Sequence, residues 1–203
     1  MSIEDDPVLS EAARGSRPST ADPEPEERAR PSGLRNVAEW VAIAGGALLV
    51  AFLIKSFLLQ AFYIPSLSMA PTLKVNDRVL VNKLSYDLHD VRRGDLIVFE
   101  SPPNEGSQTK DLIKRVIGLP GETVESSGGH IVINGQELEE PYLQPDITTG
   151  PMEKITVPPD HLWVMGDNRA NSRDSRFFGA IPESLVIGRA FVRVWPVTHL
   201  GLL

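Results

Sequence analysis

Ser66 and Ser68 lie in the string Ile64-Pro65-Ser66-Leu67-Ser68-Met69-Ala70-Pro71-Thr72-Leu73, and Lys114 lies in Asp111-Leu112-Ile113-Lys114-Arg115-Val116-Ile117-Gly118. A serine hydroxyl is a poor nucleophile until a neighbouring base takes its proton. Only four histidines, His89, His130, His161 and His199, are scattered along the chain. The candidate base is therefore a lysine held neutral by burial, since desolvation disfavours the ammonium form. On a strand, Lys114 would share a face with Leu112 and Val116, while Ile113, Arg115 and Ile117 point the other way. The same pattern also fits a lysine on the solvent side of a half-buried strand. Pro65 and Pro71 restrict the residues before them, which holds the two serines in extended or turn geometry. If Ser68 attacks, its own backbone N–H and the Ser66 hydroxyl are available to the developing oxyanion. Taken alone, Pro-Ser-x-Ser is equally a turn string. A third polar run, Gly166-Asp167-Asn168-Arg169-Ala170-Asn171-Ser172-Arg173-Asp174-Ser175-Arg176, follows an apolar segment and by itself reads as a solvated loop.

Composition limits the elements that can hold such groups. No cysteine occurs in 203 residues, which excludes thiol catalysis, thiolate metal sites and disulfide stapling. The histidines lack metal-ligand spacing, so neither a metal nor another cofactor is expected. A net charge of -7 argues against a nucleic-acid partner, which requires a clustered basic face. Residues 1–30 carry eight acidic side chains, several prolines and few bulky apolar groups. Residues 1–36 are accordingly expected to form a disordered acidic tail, unable to bury enough surface to offset its ordering entropy.

Val37 to Leu59 contains only Glu39 and Lys55 as ionisable residues, both near its ends. As a helix it would extend roughly 35 Å, and it is predicted to be a transmembrane anchor in a lipid bilayer. A buried helix and a cleaved signal peptide are the alternatives; the late start and the length count against the second. Arg28, Arg30 and Arg35 precede it, which favours a cytoplasmic N-terminus and places residues 60–203 outside the cytoplasm. That remainder reads as strands at 78–82, 95–99, 112–117, 130–134, 161–165 and 187–195, with Asn134-Gly135 as a hairpin signal. The fold expected is mostly β: a single antiparallel β-sheet catalytic domain on one N-terminal transmembrane helix.

Together the segments are similar to the bacterial type I signal peptidase family, membrane-bound serine proteases that remove signal peptides from exported preproteins. The resemblance runs from Phe62 to the C-terminus. It rests on Pro-Ser-x-Ser-Met-x-Pro-Thr-Leu, Gly94-Asp95-Leu96-Ile97-Val98-Phe99, Lys114-Arg115-Val116-Ile117-Gly118-Leu119-Pro120-Gly121-Glu122 and Gly-Asp-Asn-Arg-x-Asn-Ser-x-Asp-Ser-Arg, in family order. It implies Ser68 as nucleophile, Lys114 as general base, Ser66 as oxyanion donor and Ser172 as the residue positioning the Lys114 amine. It further implies supporting pairs of Asp174 with Arg176 and of Asp167 with Arg115. Specificity for small residues, Ala-x-Ala, before the scissile bond follows from the family, with Phe62, Ile64, Met69, Leu73, Leu112 and Ile113 matching cleft-lining positions. The implied partners are signal peptides of exported preproteins and the membrane, with a single pass and an extracytoplasmic catalytic domain. Ala70 and Ala170 depart from the usual methionine and aspartate. The 52 positions from Lys114 to Gly166 leave no room for the extra β domain of larger members.

Two rival readings use other residues or another class. A Ser-His-Asp protease would use His161, and a catalytically dead anchored module would bind exported chains without cutting them. Ser107-Gln108-Thr109-Lys110 matches a Ser-x-x-Lys string, but no Lys-Thr-Gly accompanies it.

Overall fold

Strand-forming runs dominate the C-terminal three-quarters of the chain, and the structure, a computed structural model, describes residues 32–53, 58–103, 106 and 109–203. Helix α1 covers Ser32–Leu53. Residues 32–36, read from sequence as tail, are thus helical, and the remainder of the expected tail lies outside the described residues. The predicted anchor is also shorter at its far end: Leu59 opens a strand, and 54–57 lie outside the described residues. Among the described residues no helix is long and apolar enough to cross a membrane. Glu39, Trp40, Gly45 and Gly46 dilute the apolar run of α1.

Twelve strands are described: β1 Leu59–Tyr63, β2 Arg78–Asn82, β3 Leu96–Glu100, β4 Asp111–Gly118, β5 Thr123–Ser127, β6 His130–Ile133, β7 Gln136–Glu137, β8 Ile155–Thr156, β9 His161–Met165, β10 Ile181–Pro182, β11 Val186–Trp195 and β12 Gly201–Leu202. Short helices α2, Ser85–Leu88, and α3, Ser175–Phe178, interrupt them. An eight-stranded sheet runs β1-β2-β11-β3-β4-β9-β10, with β12 on β11. A four-stranded sheet runs β7-β6-β5-β8, and every pairing is antiparallel.

The single sheet expected from sequence is therefore two. The second forms within the interval between Lys114 and Gly166, where the sequence reading placed one strand, 130–134. Its strands are short and partly polar, as in Thr123-Val124-Glu125-Ser126-Ser127, so only one of them carried a strong strand signal. The Asn134-Gly135 turn between β6 and β7 has φ of 51° and 84°, the positive pair that a tight hairpin requires.

The central strands are apolar on both faces because both faces are covered. Leu96 and Val98 of β3 point into a core with Ile64, Met69, Leu73, Val79, Val81 and Ala190. Ile97 and Phe99 point oppositely, into a core with Val116, Leu162, Val164, Phe178 and Ile181. A third core, around Ile117, Val124, Ile131, Val157, Trp163 and Met165, lies under the small sheet. Strand β9 joins two of them, with Leu162 and Val164 facing one and Trp163 and Met165 the other.

Candidate active site

The segment after β1 turns sharply because its ends are tied. Ile64 N–H donates to the Asp77 carbonyl at 2.9 Å, and Asn76 N–H donates back to the Ile64 carbonyl at 3.0 Å. Inside this loop, Ala70 N–H donates to Leu67 O at 3.0 Å and Leu73 N–H to Met69 O at 2.8 Å, forming successive turns. Met69 and Leu73 are fully buried pegs that fasten the loop to the core. Burying two such side chains contributes about 3–6 kcal/mol before entropy is counted, enough to fix the intervening backbone. Arg193 adds a strap, donating to the Thr72 carbonyl at 3.0 Å and to Asp77 Oδ2 at 3.3 Å. Ser68 is thereby held next to a buried anchor.

Lys114 approaches from β4. The register pairs Ile97 with Lys114 and Phe99 with Leu112, so Lys114 lies on the face that Leu112 and Val116 share. It is 3% exposed, unusually low for a lysine. Lys114 Nζ stands 2.9 Å from Ser68 Oγ and donates to the Ile113 carbonyl at 3.0 Å. Ser66 Oγ lies 3.3 Å from Ser68 Oγ. An amine at hydrogen-bond distance from a hydroxyl is an arrangement able to transfer its proton.

The polar run after β9 supports both groups. Arg115 forms a two-point ion pair with Asp167, Nε to Oδ1 at 2.9 Å and Nη2 to Oδ2 at 2.7 Å, and both side chains are buried. Thr72 of the serine loop donates its hydroxyl to Asp167 Oδ2 at 2.5 Å, linking β4, the serine loop and the polar run through one carboxylate. Asp174 accepts from Arg176 Nε and Nη2, each at 2.8 Å, and from Gly166 N–H at 3.0 Å. Asn168 N–H donates to the Ser68 carbonyl and Asn168 Nδ2 to the Leu67 carbonyl, both at 3.1 Å. Gly166 is pressed so closely here that a Cβ on it would overlap Ser172 and the Ser68 carbonyl.

Ser172 packs with the Ser68 carbonyl around Gly166, but among the described residues its buried Oγ makes no hydrogen bond, so the bond to the Lys114 amine implied by the motif is not formed. The cleft set divides. Phe62, Ile64, Leu112 and Ile113 line a cavity of about 80 Å³ that also borders Ser66, Ser68 and Lys114. Met69 and Leu73, grouped with them from sequence, point inward into the core against which Phe62 and Ile113 pack. The turns of the serine loop, not strand alternation, decide that direction. A second cavity, of about 470 Å³, borders Ser66, Ser68, Leu112, Lys114, Asn171 and Arg173. His161 lines neither, and its Nδ1 lies 2.7 Å from the Pro159 carbonyl.

Sequence reasoning missed Thr72, Asn168, Arg169, Glu140 and Tyr142. Asn168 and Arg169 lie within the polar run, and their direction depends on how that run folds. Glu140 and Tyr142 lie in a stretch with no periodic signal at all.

Residues 37–195 match the family described as signal peptidase, peptidase S26. Signal peptidase I of Leptolyngbya laminosa is 52% identical over 169 residues, which span 80% of this chain and 82% of its own. Probable signal peptidase I-2 of Synechocystis is 45% identical over 163 residues, spanning 77% of this chain and 72% of its own. Signal peptidase IB of Staphylococcus aureus is 33% identical over 182 residues, spanning 81% of this chain and 93% of its own. Identity of this order across most of both partners leaves one conclusion: the chain belongs to the signal peptidase family, peptidase S26, and is a hydrolase of that type.

Proposed function

We propose that this chain removes signal peptides from exported preproteins as a serine endopeptidase, cleaving after small residues of the Ala-x-Ala kind. The observation that carries the reading is the 2.9 Å contact between Ser68 Oγ and the buried Lys114 amine. In its neutral form the amine is the base that a serine nucleophile requires. Lys114 Nζ takes the Ser68 proton while Oγ forms a bond to the scissile carbonyl carbon. The oxyanion is met by the Ser66 hydroxyl and the Ser68 backbone N–H. Collapse breaks the C–N bond, and the Lys114 ammonium returns its proton to the leaving amine. Water, deprotonated by the same lysine, then hydrolyses the acyl ester and restores Ser68.

Strand β9 pairs with β4 only from Arg115 onward, so the edge of β4 from Asp111 to Ile113 is open to an extended substrate beside Ser68. Main-chain pairing along that edge gives affinity, while the cavity of about 80 Å³ beside Phe62, Ile64 and Ile113 accepts a methyl group and rejects larger side chains by overlap. Ser172 supports the site by packing against Gly166 beside the nucleophile. Arg115, Asp167, Asp174 and Arg176 hold the scaffold through their ion pairs. The apolar run from Val37 to the start of β1 anchors the chain in the cell membrane, with the tail cytoplasmic and the catalytic domain on the opposite side. At most nine residues, about 30 Å extended, separate the end of that segment from Ser68, which favours cleavage near the bilayer surface.

The test is cleavage of a preprotein bearing an Ala-x-Ala site by the full chain in detergent, alongside Ser68→Ala and Lys114→Met variants shown to be folded. Cutting at that site by the wild type alone is the expected result. Cutting by folded Lys114→Met would displace the base assignment, and an inert wild type would favour a binding module.

A further inference from the structure

The connection between β7 and β8 passes the back of the site, and two of its residues, Glu140 and Tyr142, are hydrogen-bonded to each other at 2.5 Å. Each also holds an arginine adjacent in sequence to a group of the site. Tyr142 places its ring 3.8 Å beneath the guanidinium of Arg115, the neighbour of Lys114. Glu140 takes both terminal nitrogens of Arg169, the neighbour of Asn168, with Nη1 to Oε2 at 2.9 Å. Arg169 is 3% exposed, and its remaining donors go to Thr149 Oγ1 at 2.7 Å and the Gly166 carbonyl at 3.2 Å. The backbone so clamped, 166–168, is the one that abuts Ser68 and donates to its carbonyl.

We propose that Glu140 and Tyr142 are positioning residues for the Ser68–Lys114 pair, Glu140 acting through Arg169 on the backbone behind Ser68 and Tyr142 through Arg115 on the strand that carries Lys114. The proposal rests on the reading of Ser68 and Lys114 as nucleophile and base. It also assigns a task to the small sheet, whose β7–β8 connection supplies both residues. A buried guanidinium requires its carboxylate, since an unpaired buried charge is costly. Arg169 therefore cannot settle elsewhere without moving Gly166. Burial, together with the neighbouring Glu140, pushes the Tyr142 phenol well above its ordinary range, so the hydroxyl remains a donor wherever the enzyme works.

The experiment uses the full chain in detergent, with Glu140→Gln, Tyr142→Leu and Tyr142→Phe measured on an Ala-x-Ala preprotein. Assays run at temperatures where each variant's circular dichroism equals its folded baseline. Because small misplacement of reacting groups slows the chemical step and leaves binding alone, Glu140→Gln and Tyr142→Leu lower kcat about tenfold with KM within about twofold. Tyr142→Phe keeps the ring over Arg115, lowers kcat about threefold by the same logic, and decides the matter if the other two do not fold. Unchanged kcat in folded variants overturns the proposal. So does a loss that tracks the unfolded fraction and disappears on cooling, or a rise in KM at constant kcat. A wild type that does not cut overturns the underlying reading and this one with it.

Discussion

Gly166 has no side chain because the Ser172 side chain and the Ser68 carbonyl occupy the space where one would go. In Gly166→Ala one obstacle is backbone, which cannot rotate aside, so relief must come from displacement of Ser68 itself. A shift near 1 Å costs about a hundredfold in rate, so kcat falls by about that factor while near-ultraviolet circular dichroism stays that of the folded chain. Asp167 has a different role. It accepts two hydrogen bonds from Arg115 and one from Thr72 while fully buried. Asp167→Asn removes the charge that compensates a buried guanidinium, and denaturant titration will read a loss of about 3–5 kcal/mol. A far smaller loss would mean that the Tyr142 ring and the Gly94 carbonyl, 2.8 Å from Arg115 Nη1, compensate the cation by themselves.

Strand β4 is the element on which the site depends, since it carries Lys114 in the large sheet and then delivers Ile117 to the core under the small one. The change of partner coincides with a register shift against β9 between Val116 and Gly118. At Gly118 a Cβ would stand 2.6 Å from Val124 Cγ2, 3.0 Å from Trp163 Cβ and 3.1 Å from Val157 Cγ2. Gly118→Ala therefore overpacks the junction of the two sheets and destabilises by about 1–3 kcal/mol, measurable as a lowered denaturation midpoint with an unchanged m-value. Five strands of the large sheet and one of the small were legible in outline, because β-branched runs between turn residues encode a strand wherever they lie. Strand β1 was hidden because Leu59 continues the apolar run before it, and β5 because its outward residues are polar.

For the whole molecule, residues 58–203 hold all three cores, the Ser68–Lys114 contact and both sheets. A chain starting at Leu58 is expected to fold and to cut a soluble Ala-x-Ala peptide with the full chain's kcat. If 37–59 is the anchor, that truncation loses activity on a preprotein embedded in vesicles; equal processing by both chains would remove the anchor's role. The residue types able to do the chemistry, the absence of thiols, half of the described strands and the family were determined by the sequence alone. These are properties of local strings, set by side-chain chemistry, strand period and turn residues. Tertiary structure decided what depends on distance between strings. It brought Ser68 to 2.9 Å from a lysine 46 residues away, and it turned Met69 and Leu73 from cleft to core. It also closed Glu140 on Arg169 across 29 residues, and it made two sheets of one. Such contacts follow from strand register and from the paths of connections between strands, and a one-residue slip in register reverses every facing side chain. No local pattern holds that information.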